Sequence, residues 1–427
     1  MKNSKEILDL LKRELVFALG CTEPIAVALA SAYARRAINV EPETIEVHLS
    51  GNVLKNGMGV GIPGSSLIGL HIASALGAIG GVPDDQLEVL KNINEEHIRL
   101  AKLYVEQGKV VIKESKNSEK LYIEVICRKG DHYGRVVIKG NHTNVVLIEH
   151  DNKIIFDRKE QSGFVVKNNE RFSEIKLTIE EIFRFATKIP LEEIEFILDY
   201  AEINMALAKE GLKKGYGLHV GKTMMDSIKK GVMGDDVTNK AMAFASAASD
   251  ARMSGCSLPA VANSGSGNQG VTIMIPILVY AEYLKVDREK LARALVLGNL
   301  VSIHIKAHLG RLAALCGVVI AATGASSAIT YLYGGNLKNT DAAIMNMAGN
   351  ISGMFCDGAK PGCAMKVATS VNAAVQSAIL AMNNRVISET EGIIGEDVEK
   401  TIINLAKLGS EGMQETDKMI LDIMVCK

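Results

Sequence analysis

The chain has 427 residues, enough for two or three domains of ordinary size and a large buried core. Its 48 lysines and arginines nearly balance 49 aspartates and glutamates, so the net charge of −1 gives no indication of a nucleic-acid partner. Aromatic residues make up only 4% and Trp is absent, whereas Gly (39 residues) and Met (17) are abundant. This composition favours closely packed helices over a sandwich of large side chains.

The N-terminal segment is charged and amphipathic and has no uninterrupted apolar stretch, so it does not read as a secretory signal and we expect a cytoplasmic protein. Apolar residues at helical spacing predict a helix over residues 6–19 and a second from about Ile25 to Ala37. Alternation over Thr44–Ser50 predicts a strand. A glycine-rich loop, SGNVLKNGMGVGIPGSS, precedes an apolar helix that starts near Leu67.

After a charged helix near residues 84–107, short alternating segments separated by polar turns predict an antiparallel meander, which makes the first half α+β. These predicted strands are 109–114, 120–128, 132–139, 143–150 and 153–157. From about residue 174 onward the strand pattern disappears and helical spacing dominates. We therefore predict an α+β N-terminal domain, 1–175, followed by a mainly α-helical C-terminal domain, 176–427.

Two runs contain no charged residue, Met253–Ala281 and Leu312–Leu337, and each is long enough to span a bilayer. Both are interrupted by Gly, Ser, Asn or Pro, and no Lys/Arg-rich loops or aromatic belts flank them. We interpret them as buried core segments and expect no membrane association. A membrane-associated, non-enzymatic protein is the alternative.

Three of the seven cysteines lie close together in sequence, Cys316 in RLAALCG and the pair Cys356 and Cys363 in MFCDGAKPGCAMK. In a reducing compartment such residues are thiols or metal ligands rather than disulfides. The pair flanks a turn broken by Gly and Pro, whose backbone amides can point at the sulfides of an iron–sulfur cluster. Zinc sites use shorter spacings, which do not occur here. The alternative is that each cysteine is a small buried hydrophobe.

The segments RLAALCG and MFCDGAKPGCAMK resemble the cluster-binding part of the iron–sulfur L-serine dehydratases. The whole chain resembles the related L-cysteine desulfidases, which share GCTEP (20–24), SGNVLKNG (50–57) and NSGSGNQG (263–270). The resemblance implies a serine-dehydratase-like fold and a 4Fe–4S cluster without pyridoxal phosphate. It also implies that the cluster is held in the C-terminal domain, and that the ligands are Cys316, Cys356 and Cys363.

Two departures from the dehydratases bear on the substrate. Their cysteine pair is spaced more widely, and GCTEP stands in place of their N-terminal motif with Ser and His. We therefore expect a small-molecule substrate, L-cysteine, split into sulfide, ammonia and pyruvate. L-serine dehydratase is the alternative. The Ala/Gly-rich helices are compatible with a homodimer.

Cys21 lies between a glycine and a predicted helix start, where a thiol has a lowered pKa, and it is the predicted catalytic proton carrier or a fourth cluster ligand. The alternative is that it only packs beside an N-capping Thr22. The NSGSGNQG loop precedes an apolar helix and offers donors to an amino-acid carboxylate, with a plain turn as the alternative. The predicted substrate-binding residues are Glu23, Asn52, Lys55, Asn56, Ser264, Ser266, Asn268 and Gln269.

Other residues have weaker indications. His304 and His308 share one helical face, but the Glu of H-E-x-x-H is missing, which excludes that zinc protease class. Asp250 and Arg252 are predicted to support the site. Cys426 resembles the C-terminal Cys that folds onto the open iron in some iron–sulfur serine dehydratases, although a frayed terminus is the expectation here.

Overall fold

The computed structural model describes residues 4–117, 119, 121–158, 177–310 and 313–426. The helices are α1 (Ser4–Glu14), α2 (Thr22–Ile38), α3 (Gly51–Gly57), α4 (Leu70–Gly80), α5 (Glu95–Glu106), α6 (Ile179–Lys188), α7 (Leu191–Ile194), α8 (Phe196–Lys213), α9 (Val220–Lys229), α10 (Val237–Met253), α11 (Gly267–Leu284), α12 (Arg288–Leu309), α13 (Gly317–Leu332), α14 (Leu337–Asn350), α15 (Cys363–Met382), α16 (Val398–Lys407) and α17 (Gln414–Val425). The strands are β1 (Leu15–Ala18), β2 (Thr44–Leu49), β3 (Gly61–Ile62), β4 (Leu67–Ile68), β5 (Val110–Glu114), β6 (Tyr122–Lys129), β7 (His132–Lys139), β8 (Val145–His150), β9 (Lys153–Asp157) and β10 (Ala260–Asn263).

A six-stranded sheet forms the first half, in the order β5-β2-β6-β7-β8-β9. Alternate residues such as Ile45 and Val47 of β2 are fully buried, and they share a hydrophobic core with α2 and α4. One detail of the predicted antiparallel meander is wrong, because β5 pairs with β2 in parallel. The chain between these two strands contains α3, α4 and α5, and a crossover of that length returns a strand in the same direction.

The second half is helical, and its central helices are almost entirely buried. In α11 every residue from Gly267 to Ala281 is buried, and α13 is buried over most of its length. These helices form the greater part of the two uncharged runs, so the prediction that the runs are core segments is confirmed. Small residues allow close contacts: a Cβ added to Gly324 of α13 would lie 2.2 Å from the carbonyl oxygen of Gly298 in α12.

The N-terminal segment departs from the prediction. The expected helix over residues 6–19 ends at Glu14, and the next four residues form β1, which pairs antiparallel with β10. The expectation that no strand follows residue 174 is therefore also wrong. The partner strand of β1 is distant in sequence, so the local sequence pattern does not indicate the pairing. In addition, Leu15 and Ala18 are both buried, and their spacing of three residues also fits a helix.

The hydrophobic clusters do not follow the predicted order of domains. Ile7 and Leu11 of α1 belong to the core of the helical half, together with residues of α8, α11 and α12. The predicted boundary at residue 175 lies outside the described residues. In the part of the chain that the structure describes, no helix is both long enough and apolar enough to cross a bilayer.

We expect Gly324→Ala to lower the free energy of unfolding. The new methyl group would overlap the Gly298 carbonyl, and overpacking of a core typically costs about 1–3 kcal/mol, more than the gain of up to about 1 kcal/mol from better helix propensity. Urea unfolding followed by circular dichroism measures the difference. Gly353→Ala is the control, because an added Cβ there meets nothing within 4 Å. Equal stability of the two variants would contradict the packing argument.

Candidate active site

A cavity of about 500 Å³ opens between the two halves of the chain. It is large enough for an amino acid together with a cofactor. Its walls come from the starts of α2, α11, α13 and α15, the end of α12, and the turn between β7 and β8. The structure brings most of the predicted site residues together on these walls: Cys21, Glu23, Asn56, Ser264, Ser266, Asn268, Gln269, Cys316, Cys356 and Cys363.

Two predicted substrate residues lie elsewhere. Asn52 and Lys55 line a neighbouring cavity of about 430 Å³, and the buried Lys55 ammonium forms an ion pair with Asp417 of α17. The predicted glycine-rich loop contains α3 here, and residues three apart on a helix share one face. Asn56 belongs to another face, where its Nδ2 donates to Oε1 of Glu23 at 3.2 Å. Because of this helix, Asn52 and Lys55 line the second cavity, whereas Asn56 lines the main one.

Helix N-termini converge on the main cavity. Cys21 is the N-cap of α2, Ser266 of α11 and Cys316 of α13, while Cys363 is the first residue of α15. None of the three N-cap side chains makes a capping hydrogen bond. The first-turn amides of a helix carry partial positive charge, so this arrangement favours bound anions such as thiolates and carboxylates.

Two backbone hydrogen bonds hold the sequence-distant cysteines in place. The amide of Cys316 donates to the Met354 carbonyl at 2.9 Å, and the amide of Cys356 donates to the Ala314 carbonyl at 2.5 Å. Because of these two bonds, the segment before α13 runs beside the segment that leads to α15. The thiol of Cys363 lies 3.6 Å from the Gly358 carbonyl oxygen, inside the Gly/Pro-broken turn.

The Cys316 and Cys363 thiols are protonated in the absence of a cation. Burial, together with the neighbouring Cys356 thiol, raises the pKa of Cys316 to about 12, although a backbone hydrogen bond from Val318 acts to lower it. Burial likewise raises the pKa of Cys363. Thiolates at these positions therefore require a metal or cluster, whose binding releases protons.

The spacing of the thiols distinguishes between metal groups. The ligand atoms of Cys316, Cys356 and Cys363 do not all lie within 4.8 Å of one another, in contrast to two histidine-containing groups elsewhere in the described chain. Ligands of one zinc ion are about 3.8 Å apart for Zn–S bonds near 2.3 Å. The three thiols are therefore too widely spaced for one zinc ion in this arrangement, and the surrounding first-turn amides are donors of the kind that the sulfides of a cluster accept.

Cys21 does not have the lowered pKa that the sequence predicts. Its side chain is 4% exposed and packs against Val60 and Met253. This burial raises the pKa of the thiol to about 12, although Arg252 lowers it in part. The position at a helix N-terminus therefore does not offset the rise in pKa that removal of the thiol from water causes.

Cys426 is exposed on the last turn of the chain that the structure describes.

Arg252 contributes a cation to the cavity and was predicted only as a supporting residue. Its Nη2 donates to the Gly20 carbonyl at 2.9 Å and its Nη1 to Oδ1 of Asn268 at 3.3 Å, so it joins the GCTEP loop to the start of α11. Its buried Nε has no hydrogen-bond partner in the structure. A guanidinium beside a helix N-terminus is a fitting partner for a carboxylate.

Glu23 provides the opposite charge. Burial raises the pKa of its carboxyl, but the neighbouring His142 and the hydroxyl of Thr22 lower it, to about 2 in all. His142 Nε2 lies 3.8 Å from Glu23 Oε1, too far for a hydrogen bond, and it has no other hydrogen-bond partner. His142 was not predicted, because nothing in the NHTN turn between β7 and β8 indicates that it reaches a cavity formed by other elements.

An anion-binding wall and an ionised carboxylate thus face the same cysteine-lined cavity, which is suited to a zwitterionic amino acid. A mainly helical fold with this site is consistent with the serine dehydratase type. The chain belongs to the serine dehydratase alpha chain family, whose family model matches residues 84–422.

Curated relatives match almost the full length of the chain. It is 47% identical over 424 residues to a UPF0597 protein of Bacteroides thetaiotaomicron, covering 99% of this chain and 98% of the relative. It is 48% identical over 420 residues to a UPF0597 protein of Oleidesulfovibrio alaskensis, covering 98% and 97%. A UPF0597 protein of Aeromonas hydrophila is 44% identical over 422 residues, covering 99% and 96%.

Thiol labelling tests the electrostatics of the cavity. At pH 8, a maleimide should modify the exposed Cys426 first and leave Cys21 and Cys127 unmodified, because a pKa of about 12 leaves only about one thiolate in 10⁴. Mass spectrometry of digested protein identifies the labelled positions. Cys426→Ser should remove the fast phase. If Cys21 reacted as fast as Cys426, the helix N-terminus would outweigh burial.

Proposed function

We propose that the protein is an L-cysteine desulfidase that carries out a cluster-dependent β-elimination of L-cysteine to sulfide, ammonia and pyruvate. The observation that carries the proposal is the meeting of three cysteines, a guanidinium and an ionised carboxylate in one cavity. Arg252 and the N-terminus of α11 would bind the substrate carboxylate, with Ser266, Asn268 and Gln269 around it. Glu23 would bind the α-ammonium.

Cys316, Cys356 and Cys363 would hold a 4Fe–4S cluster. When bound with one iron open, the cluster supplies a Lewis acid for the leaving sulfur. Apolar residues such as Leu315, Val318 and Ala359 also contribute to the walls, and a thiol, which behaves as a small hydrophobe, suits such a lining.

We assign removal of the α-proton to His142. An imidazole is the side chain whose ordinary pKa lies nearest neutral pH, and Nε2 of this one is buried beside Glu23 without a hydrogen-bond partner. As the Cα–H and Cβ–S bonds break, a Cα–Cβ double bond forms. Cys21, with its raised pKa, suits a proton donor to Cβ when the aminoacrylate tautomerises. Water then converts the imine to pyruvate and ammonia.

Product analysis tests the activity. Protein purified without oxygen should absorb broadly near about 400 nm, as thiolate-bound clusters do, and should release sulfide and pyruvate from L-cysteine in equal amounts. Cys316→Ala, Cys356→Ala or Cys363→Ala should remove both the absorbance and the activity. Pyruvate from L-serine but not L-cysteine would instead establish a serine dehydratase. A colourless protein that is inactive after cluster reconstitution would overturn the proposal.

Two variants separate the proton carriers. His142→Gln should keep the cluster absorbance, reduce turnover by about 10²–10⁴-fold and slow exchange of the substrate α-proton in D₂O. Cys21→Ser should reduce turnover while exchange of the α-proton continues. His48→Gln, on β2 and away from the cavity, is the control. If Cys21→Ser abolished α-proton exchange and His142→Gln did not, the two roles would be reversed.

A further inference from the structure

A second group of potential metal ligands lies behind the active-site wall. His304 and His308 are one turn apart on α12, and Glu399 is in the first turn of α16. One ligand atom from each of the three lies within 4.8 Å of the others. His304 Nε2 is 2.8 Å from Glu399 Oε2, and the two imidazole rings are perpendicular with centroids 5.0 Å apart.

The group is well supported by its surroundings. His304 is 5% exposed, whereas His308 faces solvent and leaves an entry path for an ion. The backbone amide of Ile179, at the start of α6, donates to Glu399 Oε1 at 2.6 Å, which fixes the carboxylate with its other oxygen toward the histidines. Hydrogen bonds of this kind orient metal-ligating side chains.

A nearby carboxyl lacks a partner. Oδ1 of Asp341 in α14 is buried without a hydrogen bond. Burial, together with the negative charges of Glu399, Asp397 and Glu180, raises the pKa of Asp341 to about 6. The region therefore concentrates acidic groups that a cation would stabilise. This observation is independent of the ligand geometry and indicates the same site.

We propose that His304, His308 and Glu399 bind one Zn²⁺ ion, with water at the fourth position. Two imidazoles and a carboxylate are ligands that zinc accepts, and Irving–Williams preferences place zinc above iron and manganese at nitrogen ligands. The ion takes the place of the direct contact between His304 Nε2 and Glu399 Oε2. This site is separate from the cysteine-lined cavity and contains no sulfur ligand.

The position of the site indicates its role. Lys306 and Ala307, between the two histidines in sequence, line the active cavity. Lys306 is two residues from each histidine and therefore projects from the opposite side of the helix. An ion on the outer side would join the last turn of α12 to α16 and, through Ile179, to α6. It acts as a positioning element for this wall of the cavity and takes no part in the reaction.

The chain offers a matched control. His132, His150 and Asp151 also bring their ligand atoms within 4.8 Å, but at a hairpin end where the His132 side chain is 70% exposed. A backbone amide supports this group too, because Tyr133 donates to Asp151 Oδ1 at 2.8 Å, but the group lacks the buried ligand of the proposed site.

The experiment uses cluster-loaded protein, so that the cavity cysteines are occupied. Zn²⁺ is titrated anaerobically, and bound zinc and the melting temperature are measured after gel filtration. We expect one zinc per chain and a raised melting temperature, about tenfold or more weaker binding in His308→Gln, and unchanged binding in His150→Gln. His308 faces solvent, so this variant should fold.

Co²⁺ distinguishes the ligands. In the same protein it should give visible d–d bands without thiolate charge-transfer absorption, and His308→Gln should lose them. Three results would overturn the proposal: equal zinc affinity in His308→Gln and the wild type, loss of binding in His150→Gln alone, or cobalt bands with thiolate character. None of these depends on the desulfidase activity, so the site and the proposed function fail separately.

Discussion

The convergence of helix N-termini on one cavity is the constraint on which the rest of the structure depends. Cys21, Ser266, Cys316 and Cys363 each stand at or next to the start of a helix, and their side chains are in the space that the first-turn amides face. Several helix starts can share a cavity only if the helices behind them pack closely. The glycine contacts between α12 and α13, and the predominance of alanine in α10, make that approach possible. The small residues of these helices thus allow the close packing that the site requires.

A four-residue strand pair links the two parts of the proposed substrate site. In the antiparallel pairing of β1 with β10, Ala18 lies opposite Ala260 and Leu15 opposite Asn263. The GCTEP segment therefore begins beside the strand that leads into the NSGSGNQG loop, and Arg252 bonds to both. Neither segment could form the carboxylate site alone, since one supplies the Gly20 carbonyl that orients the guanidinium and the other supplies the helix start.

Much of this site could be predicted, because residues with distinctive chemistry recur in recognisable segments. The cysteines, Glu23 and the NSGSGNQG residues lie together as expected, and the α+β half precedes a helical half. What sequence reasoning missed depends on tertiary contacts. His142 reaches the cavity from a hairpin turn, β1 and β10 pair across more than half of the chain, and Lys55 is directed to Asp417 by a helix inside a glycine-rich motif. The pKa of Cys21 was misjudged because local position indicates the helix dipole, whereas desolvation depends on residues that pack from elsewhere.

Two of the cavity thiols carry no negative charge in the absence of a cofactor, and this bears on the order of assembly. Arg252 bonds to the Gly20 carbonyl and to Asn268, and Lys366 pairs with Asp357 and donates to the Phe355 carbonyl. The Cys316 and Cys363 thiols remain neutral because burial raises their pKa. No buried thiolate has to be compensated before iron arrives. The fold can therefore form first, in contrast to small zinc domains whose folding depends on the metal. Insertion of the proposed cluster would then displace protons from thiols that are already in place, and the amides of the converging helices would stabilise the negative charge that results.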